Sequence, residues 1–351
     1  MANWLKKVFG GSPSTKHLAM VVQDERPQSI EIEGSEPFDI VTHLYGHEGL
    51  PIPDWNAIGR WVDSLQESQQ QKAWQRCVQA WLLHMRDALG EPYQLIQSQR
   101  ALLITPFEAR SSASMALFVE RTLRAVLKTL PDIAAAEDDW QPILFVFADQ
   151  HRYYDYVSHA YPDHGEYGFS AGMYLRVGPG HFVTSLAELP SMERIIAHEM
   201  THACLAHLDI PLWLNEGLAM NTEFRLVGAA PPQFGPREMH ARHVEFWNPD
   251  HIQEFWNGRA FQRSDEGLML AYDLAKILVH NMANDWKSFA AFANDASYED
   301  GGDRAARQHL RLDLGRSVAS LFDGESPSDW APNMEAMKTA AKEPANFLTP
   351  H

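Results

Sequence analysis

His198-Glu199-Met200-Thr201-His202, followed at 213–219 by Trp-Leu-Asn-Glu-Gly-Leu-Ala, is the stretch on which the reading of this chain turns. Imidazoles at i and i+4 project from one face of a helix, so His198 and His202 can share one metal ion. Glu199 is rotated by about 100° from His198 around the helix axis. That keeps it off the ion but within reach of a water bound there, where a general base must stand. Ile195, Ile196, Ala197, Met200, Ala203, Leu205 and Ala206 surround the pair, the pattern of a helix packed inside a domain. Two imidazoles and a carboxylate in such surroundings carry a polar cost of several kcal/mol unless a metal or strong partners satisfy them.

A chain with 17 histidines produces this pentapeptide by chance often enough that a third ligand is required. Pro211 ends the first helix, and Glu216, fourteen positions past His202, falls on what reads as the next one. Catalytic zinc takes three protein ligands and keeps a fourth position for water, and two histidines with a glutamate form one of its standard sets. The expectation is one Zn²⁺ per chain on His198, His202 and Glu216, with Glu199 as the base.

The two motifs together resemble the gluzincin metallopeptidases, specifically the peptidase MA-like group and more remotely aminopeptidase-N-type enzymes and thermolysin. The resemblance covers about residues 90–300. It implies an α+β, zincin-like catalytic domain, in which a twisted sheet with the active-site helix precedes a helical lobe that supplies the third ligand. It also implies hydrolysis of a peptide bond in a peptide or protein substrate. Only thirteen residues separate His202 from Glu216, shorter than in the larger members, so the connecting loop must be compact. Aminopeptidase-N-type enzymes carry an acidic Gly-x-Met-Glu-Asn segment that holds the substrate amine. The comparable stretch here, Gly168 to Arg176, has no acidic residue, which argues against an amine-anchoring aminopeptidase. Gly168 and Gly172 then mark a strand along which an extended substrate can add by backbone hydrogen bonds. Family members often use a tyrosine downstream of the third ligand to stabilise the oxyanion, and Tyr272 stands at a suitable distance on a helix; its alternative role is simple packing.

Other candidates are weaker. His207 lies about 140° around the helix from His202, which suits a surface position. His43 and His47 share the i, i+4 spacing, but Gly46 and Pro51 argue against a helix and no Glu follows the first His, and the spaced pair His240 and His243 is discounted as well. Gly168-Phe-Ser170-Ala-Gly172 fits the nucleophile elbow of serine hydrolases, but an elbow needs a helix after the serine, and the residues beyond Gly172 read as strand. A zinc-binding scaffold without activity is the remaining alternative; an intact Glu199 argues against it, because a structural site has no use for a base.

Bulk properties narrow the field further. The net charge of −17 repels phosphate backbones, which makes nucleic acid an unlikely partner by charge. No run approaches the roughly 18 apolar residues that cross a bilayer. Two cysteines, Cys77 and Cys204, make neither a disulfide framework nor a metal motif, and the start lacks a signal-peptide pattern; the expected location is cytoplasmic. Periodicity predicts a helical hairpin over 54–89, strands near 93–97, 101–106 and 142–148, and helices over 112–130, 149–160, 192–208, 215–226 and 267–281. A repeated Glu-Phe-Trp-Asn at 245–248 and 254–257 reads as two turns that bury Phe and Trp. The expected division is an N-terminal region over 1–89, the catalytic domain over 90–325 and a loosely attached tail over 326–351.

Overall fold

The computed structural model describes residues 19–137, 140–160, 172–186, 189–229, 231–322, 324, 326–335 and 337. The fold is α+β with a mixed sheet. Contacts divide the chain into two units, the first made of the described residues of 1–121, 139–167 and 175–186, and the second of the remainder.

The first unit contains the helical hairpin that the apolar spacing predicts, α1 (Trp55–Asp63) and α2 (Glu67–Leu89). Asp54 starts α1 by accepting from the Ala57 amide at 3.0 Å, satisfying a backbone donor that the first turn leaves open. Ile58 and Val62 of α1 and Ala73, Cys77 and Ala80 of α2 enclose a core with Ile30, Ile32 and Ile40. The hairpin is thus in one compact unit with most of the sheet, whereas the sequence suggested a separate region ending at residue 89. The sheet runs in the order β1 (Met20–Val21), β6 (Gln94–Gln97), β7 (Leu102–Thr105), β8 (Ile143–Phe147), β10 (His181–Ser185), β9 (Gly172–Leu175). The strands β8 and β10 are parallel, in the register Ile143↔His181 to Phe147↔Ser185, and β7 is parallel to β8. All five residues of β8 are buried, as expected of a parallel strand covered on both faces. Two small hairpins, β2 (Ser29–Ile30) with β3 (Phe38–Asp39) and β4 (Leu44–His47) with β5 (Leu50–Pro53), are the other strands among the described residues. Helix α3 (Ala109–Thr129) follows β7, and α4 (Gln150–Val157) follows β8.

The second unit is helical: α5 (Leu189–Leu205), α6 (Leu212–Val227), α7 (Pro236–Phe246), α8 (His251–Trp256), α9 (Glu266–Met282) and α10 (Trp286–Asp295). The repeated Phe-Trp turns pack inward, with Trp247, Phe255 and Trp256 all buried. Trp330, in the stretch expected to trail loosely from Ser326, is buried as well, and Trp256 Nε1 donates to its carbonyl at 2.8 Å. This part of the stretch is packed, because a large apolar ring there has core to cover. Among the described residues no helix is long and apolar enough to cross a membrane.

Candidate metal centre

Helices α5 and α6 are joined by the short turn 206–211, and Pro211 serves as the N-cap of α6. A proline is suited to that boundary, since its missing N–H is one the first turn leaves unbonded anyway. The turn folds the helices against each other, so that residues from both reach one buried point. There His198 Nε2 lies 3.2 Å and His202 Nε2 3.5 Å from the same oxygen, Glu216 Oε2. One ligand atom from each of the three residues falls within 4.8 Å of the others, and all three residues are buried. This group can hold a metal ion.

The opposite nitrogens of the imidazoles are also engaged. His198 Nδ1 donates to Glu223 Oε2 at 3.4 Å, and His202 Nδ1 donates to Asn215 Oδ1 at 2.9 Å. With Nδ1 donating outward, Nε2 is the nitrogen of each ring that faces Glu216 and is left to ligate a metal once one takes the place of its proton. Burial opposes a positive charge on His198, but hydrogen bonds to Glu216 and Glu223 and the nearby charges of Glu216 and Glu199 outweigh it and raise its pKa to about 10. The pocket favours a cation, be it a proton or a metal, and the donor set of two imidazoles and one carboxylate fits zinc.

Glu199 is buried on α5 beside His198. Tyr272 comes from α9, which the sequence leaves nearly sixty positions from Glu216 but which packs directly on α6. Its ring meets Phe261 edge-on at 5.2 Å. Burial pushes the phenol well above its ordinary pKa, and the negative charges of Glu216 and Glu199 push it further. Tyr272 therefore stays protonated as a hydrogen-bond donor in the field of both carboxylates.

Asn215 and Glu223 were not picked out by reading the sequence. The signal was present for Glu223, which follows Glu216 by two helical turns and shares its face. His207 is exposed just past the end of α5, in keeping with a surface role. His243 is buried in another network: Trp247 Nε1, a donor only, gives its proton to His243 Nδ1 at 2.9 Å, so His243 Nε2 carries the hydrogen that binds Asp273 Oδ2 at 2.9 Å. Gly168 and Ser170 lie outside the described residues, while Gly172 opens the outermost strand β9. A strand, not a helix, thus follows Gly168-Phe-Ser-Ala-Gly, which does not suit a nucleophile elbow.

In comparisons with known proteins, no family model matches the chain, and no curated protein or solved structure matches it significantly.

Proposed function

We propose that the protein is a zinc-dependent hydrolase, a zincin-like metallopeptidase with one Zn²⁺ on His198, His202 and Glu216. The observation that carries this reading is the convergence of both Nε2 atoms on Glu216 Oε2, with the buried Glu199 one residue after the first ligand. A structural site that only needs closing has no use for that extra carboxylate.

Zinc held by His198, His202 and Glu216 would supply Lewis acidity for the substrate carbonyl and would acidify water toward neutrality. Glu199 accepts the proton of the attacking water and hands it to the leaving amine. Tyr272, held protonated by its surroundings, donates to the oxygen on which negative charge develops. Glu223 and Asn215 keep the two imidazoles in the ligating tautomer. The net reaction is addition of water across an amide, giving a carboxylate and an amine.

Digestion of a peptide library by the full chain, with and without a chelator, tests the reading. Cleavage that a chelator abolishes and Zn²⁺ restores is the expected result; cleavage indifferent to chelation, or none from a zinc-loaded chain, contradicts it.

A further inference from the structure

Arg194 precedes His198 by one helical turn on α5. Its guanidinium is spread over three acceptors. Nη1 donates to the Gly228 carbonyl at 3.2 Å, Nη2 donates to the Ala229 carbonyl at 2.7 Å, and Nη1 lies 3.7 Å from Glu223 Oε1. The first two are carbonyls just past the C-terminus of α6, where a cation is favoured by the unpaired carbonyls of the last turn. The other oxygen of the same Glu223 carboxylate receives the Nδ1 hydrogen of His198 at 3.4 Å. One carboxylate is thus divided between a fixed guanidinium and a candidate metal ligand.

We propose that Arg194 is a positioning residue for the metal centre, clamping Glu223 so that Glu223 in turn fixes the His198 imidazole and thereby sets the affinity for the ion. The inference rests on the metal-site reading above and adds to it a residue that touches neither ion nor substrate. Two observations support it. Glu223 is only partly covered, with its side chain 17% exposed, so without a partner it gains rotamer freedom and water by swinging outward. Arg194 is itself immobilised by two backbone carbonyls, which makes it a rigid anchor in a way a single ion pair is not.

The sign of the effect separates this role from a through-space one. A nearby positive charge that acted only by Coulomb repulsion would weaken cation binding, so its removal would tighten it. A clamp does the opposite, and loss of an outer partner of a ligating histidine typically weakens metal binding by about 10–100-fold.

The test is the Zn²⁺ dissociation constant of the full chain, measured by competition with a chromogenic chelator, for the unaltered protein, Arg194→Met, Glu223→Ala and the double variant. Circular dichroism and thermal melting of the metal-free forms follow folding. Arg194→Met is expected to bind Zn²⁺ about tenfold more weakly, and the double variant no more weakly than Glu223→Ala alone, since Arg194 acts through Glu223. Unchanged or tighter binding by Arg194→Met, or two losses that simply add, overturns the proposal. Should Arg194→Met not fold, Arg194→Lys replaces it, because it keeps the charge but lacks the planar fork. It should weaken binding when Glu223 is present and have no effect when Glu223 is absent; equal effects in both backgrounds overturn the proposal. Failure of the unaltered chain to bind Zn²⁺ at all removes the metal site itself, and that outcome is recognised in the first titration, before any variant is compared.

Discussion

The backbones of α6 and α9 meet at Gly217 and Ala275: a β-carbon on Gly217 would lie 2.5 Å from the carbonyl oxygen of Ala275. Gly217 directly follows Glu216, and Ala275 is one turn beyond Tyr272, so this contact is what brings the phenol into the field of the candidate metal centre. Asn221 Nδ2 reinforces it by donating to the carbonyls of Gly217 at 2.7 Å and Lys276 at 2.9 Å, one on each helix.

Gly217→Ala is therefore expected to force the helices apart. Overpacking of this kind costs about 1–3 kcal/mol, to be read as a loss of unfolding free energy in a denaturant titration. Turnover should fall as well, because Tyr272 moves with α9. An alanine variant as stable and as active as the parent would show that the close approach does not position the site.

Tyr272→Phe removes the hydroxyl and keeps the ring that packs edge-on against Phe261. Loss of one oxyanion donor typically lowers kcat by about 10²–10³-fold. The expected result is a loss of that order in kcat, with bound zinc and melting temperature close to those of the parent. A variant with normal kcat would assign Tyr272 to packing alone.

His181 predicts an acid-side loss of stability in the first unit. Its Nδ1 donates to the Pro179 carbonyl at 3.2 Å, and its Nε2 accepts from the Tyr156 hydroxyl at 2.7 Å. Burial, with a smaller contribution from His159, lowers its pKa to about 3 against an ordinary 6.5. Between these values the unfolded chain binds a proton that the folded chain refuses, so stability is full above pH 6.5 and declines as pH falls toward 3. Over about pH 6.5 to 5 the carboxylates, with ordinary pKa values near 4, contribute little. The metal-free protein should lose unfolding free energy in this interval, and His181→Phe should flatten the slope even if it is less stable at neutral pH. An equal slope in the variant would place the acid sensitivity elsewhere.

The helical parts of the fold were legible because their apolar residues recur at helical spacing. The α1 and α2 hairpin, α5, α6 and α9 all lie close to the spans read from sequence, and the turn at Pro211 was read from the proline alone. The triad of His198, His202 and Glu216 was legible for the same reason: i, i+4 spacing within one helix and a single glutamate at the start of the next. What was not legible depends on partners remote in sequence. The placement of Tyr272 depends on a glycine that admits a neighbouring helix, and nothing local to Tyr272 records this. Asn215 reads as an ordinary polar residue until His202 is seen to point at it. Between residues 22 and 27 the backbone is held by side chains of α2, which no local pattern in that segment records. His84 bonds the Pro27 carbonyl at 2.8 Å, and Arg86 donates to the carbonyls of Val22 at 3.1 Å and Asp24 at 3.0 Å. Trp330 was a neglected signal, since a tryptophan in a stretch rich in Pro, Ser and Ala has a large apolar ring to gain from burial.

Metal content and turnover measured together on two variants test the account most directly. Glu199→Gln should retain one zinc per chain and lose peptide hydrolysis, because it removes the base and spares the ligands. Glu216→Ala should lose both, because it removes the carboxylate on which the two imidazoles converge. A Glu199→Gln protein that cleaves peptides at the parent rate, or a Glu216→Ala protein that keeps its full zinc complement, would contradict it.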